Sequence, residues 1–511
     1  MEVGTPVDWS PVSTAVGTPL SQLADLLGRP VQGDPGTTLT GVTLASGRVG
    51  PGDLYAALPG ARVHGASFAA EAVERGAVAL LTDPAGEQAC TATGVPVCVV
   101  PDPRAVLGDV ASRVHGRPSE ALTVLGITGT NGKTTTAYLV EAGLAAAGWS
   151  SGLIGTVQTR TRGTGPDGAP VVTELPSVRT TPEAPDLHAL LAGMRRDGVR
   201  AVVMEVSSHA LVLGRVGGVA FAAAGFTNLS RDHLDFHGDV ESYFQAKARL
   251  FDGRAAREVV DVDDEHGRRL VGERTTTVSG RGAAADWRAT EVTTTPDGGS
   301  AFTLHGPGER SWPARLRLPG AFNVANAVLA VALLDAVGVA VDDALTGIAA
   351  TVVPGRMEPV DAGQPFVAVV DYAHTPDAVA TALTALRATT TGRVLTVLGC
   401  GGDRDPGKRA GMGAAAAAGS DLLVVTDDNP RSEDPAAIRA EMLAGVPADA
   451  GAEVLEVGDR RAAIEAAVAA AGPGDTLLVA GKGHETGQDV AGVISPFDDR
   501  VELRRALEAR A

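Results

Sequence analysis

Short apolar runs that end in polar or glycine-rich turns recur along this chain. Three lie in its central part: VLGIT at 124–128, AVVMEVSS at 201–208 and AAAGFTNLS at 222–230. Segments with the apolar period of a helix separate most of these runs. Buried strands that alternate with helices are typical of βαβ units, in which helices cover both faces of a parallel sheet. We therefore predict an α/β fold with a mainly parallel central sheet.

The same cycle restarts near residue 366. Its four runs are FVAVVDYAH, RVLTVLGCGGDRD, DLLVVTDDNPR and DTLLVAGKGHE, and in each one the polar residues directly follow the apolar strand. Open α/β sheets bind their ligands at the carboxyl ends of the strands. The pattern thus predicts a second α/β domain whose ligand-binding edge carries these polar residues.

A smaller α/β unit precedes both. In it PGDLYAAL and GAVALLTD predict strands, and FAAEAVERG predicts a helix that ends at Gly76. The first residues are rich in Pro, Thr, Ser and Gly and predict a mobile leader, whereas VPGRMEP at 353–359 predicts a hinge. The predicted organisation is a leader at 1–20, an N-terminal domain at 21–118, a central domain at 119–354 and a C-terminal domain at 355–511.

Composition narrows the class of protein. The chain has 511 residues, of which 44% are hydrophobic and 20% charged, and this suits several folded domains. Its net charge of -18 argues against diffuse attraction to nucleic acid. No apolar stretch is long enough to cross a membrane, and three scattered cysteines favour a reducing compartment. We expect a cytoplasmic monomer with no nucleic-acid partner and no membrane insertion.

A candidate phosphate loop, GTNGKT at 129–134, stands between the strand VLGIT and a helical pattern. Backbone N–H groups of such a loop hold phosphates, while Lys133 offsets their charge and Thr134 can ligate magnesium. The strict P-loop pattern is missed, because position 127 is Ile rather than Gly. The alternative is a glycine-rich turn that only caps the helix. The loop predicts an ATP site without naming the reaction.

Further motifs follow in order: TTPE at 180–183, MEVSSHAL at 204–211, TNLSRDHLDFHG at 227–238, DYAHTPD at 371–377, GCGGDRD at 399–405, DNPR at 428–431 and GKGHE at 481–485. With GTNGKTTT ahead of them, the chain resembles the Mur ligases over roughly residues 46–485. The resemblance implies three domains: a small N-terminal α/β domain for the UDP end of the substrate, a central P-loop ATPase, and a C-terminal Rossmann-like domain that receives an amino acid. It also implies the activity, in which ATP phosphorylates a substrate carboxylate and an amine attacks the acyl phosphate.

The resemblance assigns the ATP and Mg²⁺ contacts. The implied magnesium ligands are Thr134, Glu205, His233 and Lys247, the last as a carbamate, and the implied catalytic residues are Lys133, Glu205, His233 and Lys247. The implied ATP contacts are Gly129, Thr130, Asn131, Gly132, Lys133, Thr134, Thr135, Asn323, Asn326, Arg356, Asp371 and His374. On residue type alone, Glu205 could instead pair with a lysine, and Lys247 could be a solvated helix lysine. Asn323 could cap a helix, and Arg356 could form a hinge salt bridge.

The resemblance also implies two further substrates. UDP-N-acetylmuramoyl-L-alanyl-D-glutamate would contact Ser46, Thr180, Thr181, Ser207 and Arg215, although isolated Ser and Thr are often capping or solvated residues. The DNPR motif implies meso-diaminopimelate, because a planar Arg can bind its second carboxylate in bidentate fashion. The implied diaminopimelate pocket consists of Arg404, Asp428, Asn429, Pro430, Arg431, Gly481 and Glu485. The alternative is a turn with Arg431 in solvent.

Some positions depart from the family pattern. Ala45 and Gly47 flank Ser46 where Asp and Arg are frequent, Asp261 stands where Asn is commoner, and Leu213 replaces a possible Gln. Three rival activities stay open: an L-lysine-adding ligase, a folylpolyglutamate synthetase, and a nucleotide-binding scaffold without catalysis.

Overall fold

The computed structural model describes residues 17–165, 169–175, 177, 179–295 and 298–510. Of the predicted leader, residues 1–16 lie outside the described residues. Regular structure begins at Thr18, because strand β1 (Thr18–Pro19) pairs with β2 (Thr38–Leu39) and helix α1 (Leu20–Leu27) follows directly. No helix within the described ranges is both long and apolar enough to cross a membrane.

The N-terminal unit is a small parallel sheet with helices around it. Its strands are β3 (Gly41–Thr43), β4 (Asp53–Ala57), β5 (Ala79–Thr82) and β6 (Val97–Val99), paired in that order. Its further helices are α2 (Ala69–Glu74), α3 (Glu87–Thr91) and α4 (Pro103–Val114). The strands β4 and β5 and the helix α2 lie where their apolar patterns predict them.

The central unit is built on an eleven-stranded sheet in the order β10-β9-β8-β11-β7-β12-β13-β14-β15-β16-β17. These strands are β7 (Thr123–Thr128), β8 (Ser151–Ile154), β9 (Thr159–Thr164), β10 (Pro170–Leu175), β11 (Ala201–Glu205), β12 (Ala223–Phe226), β13 (Glu258–Asp261), β14 (Thr275–Ser279), β15 (Trp287–Thr294), β16 (Ser300–Gly306) and β17 (Arg310–Leu316). The pairs from β8 to β15 are parallel, and the two strands at each end are added antiparallel. The helices are α5 (Lys133–Ala146), α6 (Ala184–Arg196), α7 (Ser208–Val212), α8 (Leu234–His237), α9 (Val240–Ala248), α10 (Glu265–Arg268), α11 (Ala321–Ala336) and α12 (Val341–Ala349).

The C-terminal unit carries a six-stranded sheet in the order β18-β19-β23-β20-β21-β22, parallel except for β18. Its strands are β18 (Glu358–Pro359), β19 (Val367–Asp371), β20 (Val394–Leu398), β21 (Leu422–Val425), β22 (Glu453–Glu456) and β23 (Thr476–Ala480), and β24 (Gly487–Val490) with β25 (Val493–Pro496) forms a separate hairpin. The helices are α13 (Pro376–Arg387), α14 (Arg409–Gly419), α15 (Pro435–Ala444), α16 (Arg460–Ala470) and α17 (Asp499–Arg510).

The predicted α/β fold class is confirmed, including the mainly parallel central sheet. Each run that ends in polar residues is a buried parallel strand, for which a continuous apolar sequence is typical. The polar residues therefore collect at the carboxyl ends of the central and C-terminal sheets. The segment 353–359 connects α12 to β18 and brings these two edges together.

Candidate functional site

The predicted phosphate loop lies between β7 and α5. Gly129 has φ +145, and a Cβ there would lie 1.8 Å from the hydroxyl of Thr227, so only glycine fits. Lys133 begins the helix and donates from Nζ to the carbonyls of Gly129 and Thr130, at 3.0 and 2.8 Å. Burial and the nearby Arg356 lower the pKa of Lys133. The N–H groups of Thr130 and Asn131 donate to Asn228, at 2.8 and 3.0 Å. The groups that a phosphate would meet in this cavity are therefore the first turn of α5 and the Lys133 side chain.

Thr134 and Glu205 form an oxygen-rich wall of this cavity. The Thr134 hydroxyl donates to Glu205 Oε1 at 3.0 Å, and Thr156 donates its N–H and hydroxyl to the two carboxylate oxygens, at 2.8 and 3.1 Å. Within the described ranges Glu205 has no ion-pair partner within 4 Å, and its charge acts on the nearby Lys133 by raising the pKa of that lysine. Hydroxyl and carboxylate oxygens are the hard ligands that Mg²⁺ prefers, so these residues fit that ion.

His233 stands at the mouth of the cavity. It has φ 54, and its Nε2 lies 3.4 Å from a carboxylate oxygen of Asp232. About half of the side chain is exposed. His233 lines the same cavity as Thr134 and Glu205. Among the described residues, no group of three or more His, Cys, Asp or Glu side chains could by itself hold a metal ion.

Lys247 is buried, with 1% of its surface exposed, although it lies on the short helix α9. Its Nζ donates to the carbonyl of Gly129 at 2.7 Å and lies 4.4 Å from the ring centre of Tyr243. The alternative of a solvated helix lysine is therefore wrong. Burial, with a contribution from Lys133, lowers the pKa of Lys247 well below its ordinary value. A neutral amine is the form that can react with carbon dioxide.

Two asparagines of α11 close the other side of the loop. Asn326 Nδ2 donates to Asn323 Oδ1 at 3.2 Å, and its own oxygen accepts from the Thr136 hydroxyl at 3.4 Å. The N-cap of α11 is Gly320, and Asn323 lies inside the helix with its Nδ2 bonded to the Pro319 carbonyl. The alternative in which Asn323 caps the helix is therefore wrong.

Asp261 ends β13 and lines the same cavity. Burial, helped by the negative charges of Asp263 and Asp264, raises its pKa to about 7. The unfolded chain loses this proton near pH 4, so stability falls as pH rises from about 4 to 7 and the loss is constant above pH 7.

Asp261→Asn should remove this pH dependence. We expect the stability advantage of the variant over the natural chain to grow by about 1–2 kcal/mol between pH 5.5 and 7.5, then to stay constant. Urea unfolding followed by tryptophan fluorescence measures it, because Trp149, Trp287 and Trp312 all lie in the central unit. A difference that does not change with pH would show that Asp261 is ionised throughout.

The C-terminal unit contributes three of the predicted ATP contacts to the same cavity, whose volume is about 800 Å³. Arg356 donates to the Thr134 hydroxyl at 3.4 Å, and its guanidinium lies 4.2 Å from the ring centre of Tyr372. Asp371 accepts from the N–H groups of Met357 and Ala373, at 2.7 and 2.8 Å. Arg356 has no ion pair among the described residues, so the hinge salt bridge is wrong. The cavity is thus closed over the phosphate loop by the second sheet, with His374 on its wall.

Four of the five residues predicted for the UDP-linked substrate lie together beside Glu205. Thr181 donates to the Glu205 carbonyl at 2.9 Å and accepts from the Ser207 N–H at 3.1 Å. Arg215 donates to the Thr181 carbonyl at 3.3 Å, and the Thr180 and Thr156 hydroxyls are 3.0 Å apart. Ser207 also caps α7. Ser46 lies in a 3-10 turn of the N-terminal unit and contacts none of these four.

The residues predicted for diaminopimelate form a second cluster at the end of β21 and β23. Asn429 Nδ2 donates to Glu485 Oε2 at 2.7 Å, while Gly481, with φ +111, lies so close to Asp428 that a Cβ would meet its Oδ2 at 2.6 Å. Pro430 is buried beside Gly402. These contacts join the DNPR and GKGHE motifs into one cluster.

Arg431 is anchored rather than free in solvent. Its φ is 53, its N–H donates to the Asp489 carbonyl at 2.9 Å, and its Nη1 donates to the Gly402 carbonyl at 2.6 Å. The other guanidinium donors have no partner among the described residues, so they can bind a carboxylate. The alternative of a solvated Arg431 is wrong. Arg404 is exposed and, within the described part of the chain, has neither a hydrogen bond nor an ion pair.

Several residues of this pocket were missed at the sequence level. Lys482 has no exposed surface and contacts Asn429 and Glu485. Arg460 and Asp499 form a fully buried ion pair at 2.7 Å, and Arg460 also donates to the carbonyls of Ala480 and Asp427, beneath the two motifs. A charged residue inside GKGHE was a visible signal for Lys482. No sequence signal joins Arg460 to Asp499, which lie 39 positions apart.

Comparison with known proteins gives consistent matches along the chain. Residues 38–115 match the model described as "Mur ligase family, catalytic domain", residues 127–334 match the Mur ligase middle domain, and residues 355–483 match the glutamate ligase domain. A UDP-N-acetylmuramoyl-L-alanyl-D-glutamate--2,6-diaminopimelate ligase of Streptomyces coelicolor is 55% identical over 500 residues, which is 96% of each chain. A ligase of the same name from Corynebacterium glutamicum is 51% identical over 89% of each chain. A solved structure with that name is 31% identical with a TM-score of 0.67, covering 97% of this chain and 99% of the other.

Proposed function

The chain belongs to the Mur ligase family, and we propose that it joins meso-diaminopimelate to UDP-N-acetylmuramoyl-L-alanyl-D-glutamate in an ATP-dependent reaction. Both high-identity relatives carry the name of this ligase and align over most of their length. The product is a tripeptide precursor of peptidoglycan. Since ATP and a UDP-linked compound are the proposed substrates, we propose that the protein acts in the cytoplasm. That the protein is a monomer stays a prediction.

Arg431, which is anchored by its hydrogen bonds, is the main evidence that the added amino acid is diaminopimelate. Diaminopimelate has one carboxylate more than lysine, and a guanidinium that is held in place and keeps free donors can bind a carboxylate in bidentate fashion. Arg404 lies in the neighbouring loop with no partner among the described residues and is the second proposed clamp. Asp428 and Glu485 supply negative charge for the ammonium group of the same amino acid. The pocket therefore offers both charges at once, as a zwitterion requires.

The nucleotide half of the reaction uses the cavity over the phosphate loop. We propose that the phosphates lie against the loop at 129–132 and are held by the N–H groups of the first turn of α5 and by the Lys133 ammonium, while Asn323 and Asn326 approach the base. Thr134, Glu205, His233 and a carbamate on Lys247 would hold Mg²⁺. When bound, magnesium offsets the negative charge of the phosphates and the carboxylate. Asp371 and His374, together with Thr135, complete the proposed ATP contacts.

Phosphoryl transfer to the D-glutamate carboxylate would make the leaving group that amide formation needs. The carboxylate oxygen attacks the γ-phosphorus, ADP leaves, and the amine of diaminopimelate then attacks the acyl carbon with loss of phosphate. Thr180, Thr181, Ser207 and Arg215 lie beside Glu205 and would position the UDP-linked substrate between the two pockets, with Ser46 at its far end. Arg356 and Tyr372 cover the loop and exclude water, which would hydrolyse the acyl phosphate.

Replacing Arg431 by alanine should impair use of diaminopimelate. We expect its kcat/KM to fall about 30-fold or more, because a charged bidentate contact contributes about 2 kcal/mol or more. The KM for ATP should change less than about threefold, and any residual use of lysine should be nearly unaffected. Steady-state phosphate release at varied amino-acid concentration measures both. An unchanged apparent affinity for diaminopimelate would show that Arg431 does not bind this substrate.

A further inference from the structure

Lys482 is a lysine with no exposed surface in the middle of the GKGHE motif. A buried lysine is costly unless its charge is paired and its donors are satisfied. Its Nζ donates to Asn429 Oδ1 at 3.0 Å and to Glu485 Oε2 at 3.2 Å, and it lies 3.8 Å from Asp428 Oδ1. All three partners belong to the proposed amino-acid pocket. Lys482 therefore lies directly behind the groups that would meet the substrate.

These contacts fix the orientation of two pocket side chains. Asn429 Oδ1 accepts from Lys482 and from the Asp489 N–H at 3.0 Å, so its Nδ2 has to face Glu485. Glu485 Oε2 receives donors from both Asn429 and Lys482. Among the described residues, Glu485 Oε1 accepts no hydrogen bond. Lys482 thus occupies one oxygen of Glu485 and leaves the other for a ligand.

The charges of the cluster do not balance. Asp428 and Glu485 carry two negative charges against one positive charge on Lys482, which leaves one in excess, because the nearby Arg460 is already paired with Asp499. The Asp428 carboxylate also accepts no hydrogen bond from the described residues and is 9% exposed. One excess negative charge with free carboxylate oxygens fits a single ammonium group.

We propose that Lys482 is a positioning residue that orients Asn429 and Glu485 and limits this end of the pocket to one ammonium group. The inference rests on the proposed function, because it takes the cluster as the amino-acid pocket. Lys482 would touch no substrate atom. Without it, two like charges would lie together uncompensated, and only the Asp489 N–H would hold the oxygen of the Asn429 amide.

The test compares Lys482→Met with Lys482→Arg and Lys482→Gln in the full chain. We expect Lys482→Met to raise the KM for diaminopimelate roughly 30-fold or more, as is usual when one partner of a buried charged contact is lost. The KM values for ATP and for the UDP-linked dipeptide should stay within about threefold. Lys482→Arg keeps the charge and should recover part of the affinity, while Lys482→Gln keeps only a donor and should recover less.

A double variant at Lys482 and Glu485 distinguishes a positioning role of Lys482 from a general loss of structure. If Lys482 acts through Glu485, the loss of diaminopimelate affinity in the double variant Lys482→Met/Glu485→Gln should be smaller than the sum of the losses in the two single variants. Additive losses, or KM values that rise equally for all three substrates, would overturn the proposal. If Lys482→Met does not fold, equal KM values for the Arg and Gln variants would overturn it as well. A natural enzyme that does not use diaminopimelate would instead refute the proposed function, and this is measured first.

Discussion

Lys247→Ala is expected to lower turnover by about 10²–10³-fold or more, the usual loss when a charged group is removed from a site that stabilises transferring phosphate. The proposed reason is that the carbamate of Lys247 supplies an anionic oxygen ligand that alanine cannot. The amine is buried and lies 2.7 Å from the Gly129 carbonyl, and burial lowers its pKa, which favours the neutral form that can react with carbon dioxide. Phosphate release with all three substrates measures the loss.

Restoring the activity of Lys247→Ala with an added carboxylate would distinguish the loss of a carbamate from a loss of side-chain packing. Short carboxylates such as acetate or formate should restore part of the activity of Lys247→Ala, because they can occupy the space of the carbamate. Gln245→Ala, an exposed position on the same helix, is the matched control and should stay within about twofold of the natural enzyme. Labelled bicarbonate should give a carbamate carbon resonance in the natural chain alone. Full activity in bicarbonate-free buffer without that resonance would contradict carbamylation.

Asp499→Ala is expected to destabilise the C-terminal unit by about 3–5 kcal/mol, because it leaves the Arg460 guanidinium buried without its counter-charge. Both side chains have no exposed surface and are joined at 2.7 Å. Urea unfolding followed by circular dichroism measures the loss, and hydrogen exchange should increase most in α16 and α17. Arg460 also donates to the carbonyls of Ala480 and Asp427, so the proposed diaminopimelate pocket should become less ordered as well.

The neighbouring surface pair provides the control. Arg461 and Glu502 join the same two helices at 2.7 Å, but Arg461 is 45% exposed. Arg461→Ala should cost less than about 1 kcal/mol. Replacing both members of the buried pair by Met and Leu should cost less than Asp499→Ala alone, since no charge is left unpaired. Equal effects of Asp499→Ala and Arg461→Ala would contradict a special role for burial.

The parallel strands of both large sheets could be predicted because burial on two faces makes them continuous apolar runs. The antiparallel strands at the two ends of the central sheet could not be predicted. For example, β9 reads TRTRGT and is mostly half-buried, so its sequence has no apolar run to indicate a strand. In the same way, a lysine on a short helix is ordinarily solvated. Only the approach of α9 to the phosphate loop buries Lys247.

The sequence predicted the residues that line the site but not the buried residues that hold them in place. Motifs at strand ends indicated Glu205 and Arg431, because ligands collect at that edge of a parallel sheet, and the predicted hinge at 353–359 contained Arg356. The contacts behind them depend on distant segments: Arg460 meets Asp499 only when two helices pack together. The local pattern gives no sign of such pairs. The same holds for Lys482, whose burial follows from the packing of two motifs that lie 53 positions apart.

The most direct test of the proposed reaction is phosphate release from ATP and UDP-N-acetylmuramoyl-L-alanyl-D-glutamate with a panel of amino acids. We predict amine-dependent release with meso-diaminopimelate at a kcat/KM well above that with L-lysine, and a product heavier by one diaminopimelate residue. The proposed reaction would be contradicted by a preference for lysine, by glutamate addition to a folate, or by ATP binding with no amine-dependent release of phosphate.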